Sequence, residues 1–231
     1  MIVAIHQPNF FPWLGYFDKL RRADVFVFLD NVQMQKKGGT WTNRVKILMA
    51  GEARWVTAPI DRAFRGVRRI SDIRFDESSD WRDKLMRTLS ASYGRAPAYR
   101  ETIALVEPLL ASTECSIARY NVQAVTAIAQ ALGLRTDRLI LGSNLGSGGE
   151  GTDRLIAITR EVGGDAYLCG GGAQGYQDDA AFGRAGLQLI YQDLKHPVYA
   201  QAGAAQFVPG LSIVDAMMNC GIAGTAALLC G

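Results

Sequence analysis

The chain has two histidines, and each stands just beyond a short apolar run. His6 closes IVAIHQ at residues 2–7, and His196 follows LQLIYQ at residues 187–192. Imidazole titrates near neutral pH, so either ring suits a general base that deprotonates an amine or hydroxyl. A capping histidine is the ordinary alternative for one such residue, but two at equivalent places point to a shared site. Other apolar runs also end in polar residues: Asp30, Asn31 and Gln33 after VFVFL, Ser143 and Asn144 after LIL, and Gln192 and Asp193 after LQLIY. Asp30 is the carboxylate to orient or assist the base. Gln7, Gln33, Ser143 and Asn144 are expected to bind substrate. Between Lys36 and Arg69 stand nine bases and two acids, against a mildly acidic remainder. Arg44 with Lys46 forms the expected anion clamp, since a guanidinium fork can hold two phosphate or carboxylate oxygens together. Tyr16 and Trp41 lie close enough to these polar residues to stack on a sugar or base, whereas Trp13 and Trp55 read as core. The Lys36–Lys46 segment, with Gly38 and Gly39, is expected to move until an anion neutralises it.

Positioning these groups requires elements that end together. Residues 2–7, 25–30, RLILGS, AYLCG and LQLIYQ are continuous apolar runs of strand length, the pattern of strands buried on both faces. Helical spacing separates the first pair over Trp13–Arg22, and helices over 152–162, with Thr152 as N-cap, and near Asp178–Ala185 separate the last three. Between the two blocks lie a hairpin (Asn43–Met49, a turn at Ala50-Gly51, Arg54–Ile60), a further strand at Ile70–Phe75, and three helices over residues 81–132. The predicted fold is therefore α/β: one domain over 1–231, with a parallel doubly wound sheet built from both ends of the chain. The hairpin and helical segment, 41–132, form an inserted lobe. Ligands of such sheets bind outside the carboxyl ends of the strands, where all the polar residues above fall. The segment LSIVDAMMNCG reads as a closing helix whose Asp215 and Asn219 serve as caps.

At 231 residues, 48% hydrophobic and 20% charged, the chain can bury a full core and has no disordered or collagenous character. The N-terminus lacks the form of a signal peptide and no apolar run reaches the roughly 18 residues of a membrane span, so a cytoplasmic protein without a membrane span is expected. Cys115, Cys169, Cys220 and Cys230 are scattered, which suggests neither a zinc site nor a disulfide scaffold. No metal and no cofactor are expected. Gly170–Gly175 spells G-x-G-x-x-G, but Asp178 and Asp179 face the point where a pyrophosphate would dock, and too little chain follows Asp193 to complete a dinucleotide fold. The loop from Gly146 to Thr152 lacks the lysine of a P-loop. Extended nucleic-acid binding is not expected from a basic region this local.

Several stretches carry a family resemblance: IHQPNFFPWLGYFDKLRRADVFVFLDNVQ at the start, K-K-x-x-x-W-x-N-R-x-K-I at Lys36–Ile47, Tyr-Leu-x-Gly at Tyr167–Gly170, and His-Pro-x-Tyr-x-Gln at His196–Gln201 followed by LSIVDAMMNCG. Together they resemble the WbqC-like proteins over nearly the whole chain. That resemblance implies a role in bacterial O-antigen or other surface polysaccharide synthesis, with an activated sugar as the small-molecule partner, and it adds Tyr199 to the expected substrate-binding residues. The expected reaction is acyl or aminoacyl transfer to an amino sugar. The alternatives are an ATP-dependent nucleotidylyltransferase or ligase and a non-catalytic sugar-nucleotide binding protein. The opening strand, loop and helix also resemble nucleotidylyltransferase-like folds in shape, without their H-x-G-H signature. The oligomeric state is left open.

Overall fold

The computed structural model describes residues 1–34, 40–63, 66–170 and 177–230. Lys36, Lys37, Gly38 and Gly39 of the expected mobile segment lie outside the described residues, as does most of the G-x-G-x-x-G stretch. The described elements are β1 (Ile2–His6), α1 (Leu14–Arg22), β2 (Val25–Phe28), β3 (Arg44–Met49), β4 (Glu52–Thr57), α2 (Trp81–Tyr93), α3 (Tyr99–Leu110) and α4 (Ile117–Ala131). They continue with β5 (Leu139–Leu141), α5 (Gly151–Glu161), β6 (Ala166–Cys169), α6 (Asp179–Arg184), β7 (Gln188–Tyr191) and α7 (Ile213–Cys230).

Five strands form one parallel sheet in the order β5-β2-β1-β6-β7, and β3 pairs with β4 in a separate antiparallel hairpin. The two-residue side-chain period divides the core. Ala4, Phe26, Phe28 and Leu168 face α1, α4, α7 and the hairpin, while Val3, Ile5, Val25, Val27 and Tyr167 face α5 and α6. Burial on both faces explains why β1, β2 and β6 read as continuous apolar runs. The winding reverses at β1: the chain steps by way of α1 to β2 on one side, and the later strands build outward from β6 on the other. The crevice beyond the carboxyl ends of β1 and β6 is thus the topological switch point.

The hairpin turns on Ala50 and Gly51, both at positive φ (51° and 81°), which fits the twist of the flanking strands. Its register sets Lys46 opposite Trp55 and Arg44 opposite Thr57, so those side chains share the outer face while Val45 and Ile47 are buried in the core.

Ile70–Phe75 is not the strand expected from its sequence. Ile70–Asp72 makes a 3-10 turn closed by the Ile73 N–H on the Ile70 carbonyl, and only single bridges form nearby, Phe75 to Ile60 and Arg74 to Ser116. No continuous neighbour runs alongside, so no ladder can grow. Thr152 does not cap α5; its hydroxyl accepts the Asp178 N–H, and Glu150 occupies the N-cap position. Among the described residues α7 is long and apolar enough, by length and composition, to cross a membrane, with a mean hydropathy of 1.6 over 18 residues. It is interrupted by Gly221 at φ 73°, and Ile213, Val214, Ala216, Met217 and Met218 are core residues. Neither part reaches the roughly 20 residues of a spanning helix.

Candidate functional site at the switch point

A cleft of about 820 Å³ opens at the carboxyl ends of β1, β6 and β7, a volume suited to a small ligand. Its walls come from β1 (Ile5, His6), the α1 face (Gly15, Tyr16, Lys19), β6 (Tyr167) and the chain beyond β7 (Gln192, Asp193, His196). Helical spacings of four and three residues set Gly15 and Tyr16 each beside Lys19 on α1.

His6 continues the α1-facing side of β1. Its ring meets Tyr16 and Trp13 edge-on, at centroid distances of 4.7 and 5.8 Å. Nδ1 lies 3.1 Å from the Gln7 carbonyl, which can only accept, so Nδ1 carries the proton and the Nε2 lone pair is the accepting side. Burial, with the Lys19 charge second, pulls the His6 pKa down to about 3, so the ring is neutral. The same Gln7 carbonyl accepts the Tyr16 hydroxyl at 3.0 Å, and burial holds that phenol well above its ordinary pKa.

His196 is placed differently. Its Nδ1 donates to the Pro197 carbonyl at 3.1 Å and its Nε2 accepts the Gly210 N–H at 3.2 Å. Both nitrogens are engaged, so this ring braces the 196–210 loop at the cleft wall. Asp193 stands beside it with φ 40°, a conformation that an L residue adopts at a cost of about 1–3 kcal/mol.

The residues expected at one carboxyl edge thus separate. His6, Gln7, Tyr16 and His196 share the cleft. Asp30 does not line it: this buried carboxylate accepts the Ser143 N–H at 2.8 Å and fastens β2 to the turn after β5. Ser143 and Asn144 lie in that exposed turn, and Gln33 bridges Arg69 beside it. Tyr199 points inward, its hydroxyl donating to Asp215 at 2.7 Å.

Trp41, Arg44 and Lys46 belong to a line of aromatic rings leading from the cleft. Trp13 is 5.0 Å from Trp41, and Trp41 is 4.9 Å from Trp55. The Arg44 guanidinium lies 4.1 Å and the Lys46 amine 5.2 Å from the Trp55 ring, within cation–π range. Trp55 is not core; it is 40% exposed, because the hairpin register turns it outward. Trp13 is half-buried at the cleft. Gly15 permits this, since a Cβ there would come within 2.7 Å of the Trp13 indole nitrogen.

Sequence alone passes over Lys19 and gives Asp215 only a capping role. Lys19 is a lysine at 3% exposure in the cleft wall, detectable in principle from its three-residue spacing to Tyr16. Asp215 is fully buried in the first turn of α7 and accepts Tyr93 Oη at 2.9 Å, Tyr199 Oη at 2.7 Å and Gln201 Nε2 at 2.8 Å. It does not act as a cap through its side chain, and neither does Asn219, whose amide joins the Asp215 carbonyl to the Ala202 N–H.

A second cleft, about 800 Å³, lies between the hairpin turn and the end of α2, but Ser90, Ser92 and Arg95 are its polar side chains. Among the described residues no cluster of three or more histidine, cysteine or acidic side chains could hold a metal ion.

The WbqC-like protein family matches residues 7–227. The chain belongs to this family. An uncharacterized protein of Mycobacterium tuberculosis (strain ATCC 25618 / H37Rv), Rv1507c, is 28% identical over 221 residues, 95% of this chain and 94% of that protein. No solved structure matches. In this WbqC-like chain the matched region takes in the hairpin with its tryptophans and the walls of the switch-point cleft other than Ile5 and His6, which precede it.

Proposed function

We propose that this protein is a transferase that modifies an activated sugar in the switch-point cleft, by acyl or aminoacyl transfer to a sugar amine or hydroxyl. The observation that carries this reading is His6: a neutral imidazole in the cleft wall whose Nδ1–H is fixed by a carbonyl, which leaves Nε2 as the accepting nitrogen, with the aromatic surfaces of Tyr16 and Trp13 beside it. Aromatic faces suit the apolar faces of a sugar ring or a base. The line from Trp13 to Trp55, ending at Arg44 and Lys46, offers a track for the anionic, ring-bearing part of a sugar nucleotide. Family membership supports a bacterial surface-polysaccharide setting for that substrate.

In the proposed step the acceptor nitrogen or oxygen attacks the acyl carbonyl carbon. The new C–N or C–O bond forms as the bond to the leaving group breaks, and the acceptor proton passes to His6 Nε2 and then to the leaving group. Part of the depression of the His6 pKa comes from Lys19, so an anionic substrate beside that lysine raises the basicity of the ring toward its working range.

The test is mass spectrometry of the purified protein with a panel of sugar nucleotides and acyl donors, with and without ATP. An acylated sugar product, lost in His6→Gln with binding retained, is the expected result. Magnesium-dependent pyrophosphate release would instead indicate nucleotidylyl transfer. Binding without turnover in both wild type and a His6→Ala/His196→Ala double variant would indicate a non-catalytic binding protein.

A further inference from the structure

Asp18 is the acid of α1, and it is saturated. Arg21 lies 3.1 Å from one oxygen; Gln192 Nε2 at 2.9 Å and Arg22 at 3.7 Å share the other. The lysine next to it in sequence, Lys19, points a different way, into the cleft wall. There its amine donates to the Ile5 carbonyl at 3.0 Å and stands 5.7 Å from the centre of the Tyr167 ring. Among the described residues no carboxylate forms an ion pair with it. An ammonium has three protons to donate, and a buried charge without a counter-ion is costly to hold unless a ligand completes it. The Ile5 carbonyl lies where β1 and β6 part, since their pairing stops at Ala4 and Leu168. Lys19 is thus fixed at the mouth of the switch point, on the same wall as His6.

We propose that Lys19 is the oxyanion-binding residue of the cleft, holding a phosphate or carboxylate group of the ligand between the ends of β1 and β6, next to His6. This deepens the reading of the cleft as a substrate site and rests on it. The hairpin cations then hold a second, more distant part of the ligand. Asp193, elsewhere in the cleft wall, disfavours an anion beside itself and so orients the charged end toward Lys19.

Two further features fit this role. Burial pulls the Lys19 pKa down to about 8, so a bound anion restores a proton to a partly neutral amine near that pH. The titratable groups around Lys19 are His6 on β1, Tyr167 and Cys169 on β6, Tyr16 on α1, and Asp193 with His196 in the cleft wall beyond β7. Burial raises the pKa of both Tyr167 and Cys169, which leaves them uncharged at neutral pH, and His6 is neutral as well.

The test uses sulfate, which does not titrate near neutral pH, and acetate as the carboxylate probe. Calorimetry follows binding to wild type, Lys19→Met and Lys19→Arg, and the His6 ring is followed by NMR. The expected results are about tenfold or greater weakening in Lys19→Met, partial retention in Lys19→Arg, weaker binding to wild type as pH rises through about 8, and a rise in the His6 pKa on binding. Tighter sulfate than acetate binding assigns the site to phosphate; the reverse assigns it to carboxylate. If Lys19→Met does not fold, the wild-type pH dependence and the His6 signal decide. Sulfate that binds wild type without either pH dependence or a His6 response, or that binds Lys19→Met as tightly as wild type, overturns the proposal. Lys19-dependent sulfate binding with no sugar turnover leaves this inference standing and removes the transferase reading. Normal sugar turnover in Lys19→Met does the opposite.

Discussion

Asp215 ties α7 to α2 and to the 199–201 segment, and replacing it should loosen the wall that carries His196. Its three donors, at 2.9, 2.7 and 2.8 Å, are charge-assisted, each contributing about 1.5–3 kcal/mol against the desolvation of a buried carboxylate. Removing one side of such a network leaves two phenols and an amide unsatisfied, so Asp215→Ala should cost about 3–5 kcal/mol. At this chain length that is a fall in Tm of roughly 6–20 °C. Asp215→Asn keeps the shape but points amide protons at groups that themselves donate, so it should cost somewhat less. The pH dependence separates this account from a simple packing loss. Burial raises the Asp215 pKa above the ordinary 3.8, outweighing the three donors that lower it. The folded state therefore keeps its proton longer than the unfolded state does. The resulting stabilisation is fully present below the ordinary value and is lost as pH rises through the folded value. Asp215→Asn lacks this contribution, so its deficit relative to wild type should widen as pH falls from neutral toward about 4. Urea unfolding followed by tryptophan fluorescence across that range measures it. A deficit that narrows on acidification would show that the donors outweigh burial, and the carboxyl would then be held below its ordinary pKa.

His6→Gln should lower turnover by about 10²–10⁴ while changing substrate affinity by only a few fold, read from single-turnover kinetics and calorimetry. Arg44→Lys preserves charge but loses the planar contact at 4.1 Å from Trp55, and should weaken sugar-nucleotide binding about tenfold; wild-type affinity in both this variant and Trp55→Ala would make the hairpin face a solvated surface. Gly15→Ala brings a Cβ within 2.7 Å of the Trp13 indole nitrogen and 3.1 Å of Leu194, so it should shift tryptophan emission and reduce ligand affinity, with a stability loss of about 1–3 kcal/mol by chevron analysis.

The parallel sheet was legible because strands buried on both faces leave continuous apolar runs, and the helices between them keep their own period. What those runs do not reveal is lateral order. In a sheet arranged β5-β2-β1-β6-β7, neighbours are about 4.8 Å apart, so the ends of β5 and β7 are about 19 Å apart. Residues at one carboxyl edge therefore need not share a cleft. His6 and His196 come together because β1 and β7 flank β6 beside the switch point, whereas Asp30 and Ser143 meet at the β2–β5 edge and hold each other. Trp55 shows a different limit. With the turn at Ala50-Gly51, the pairing of Met49 with Glu52 fixes Lys46 opposite Trp55, so the outward face follows by parity once the turn is placed. Lys19 was harder to see. It sits in DKLRR, where a basic last turn complements the helix dipole and ordinarily faces water. Only the close packing of α1 against the sheet, with Gly15, Tyr16 and Lys19 all buried, turns that side chain inward. A charge in such a place is compatible with a stable fold when something in the cleft carries the opposite charge, which is why Lys19, with no acid bound to it among the described residues, says more about the ligand than the half-buried Arg44 and Lys46 of the hairpin do.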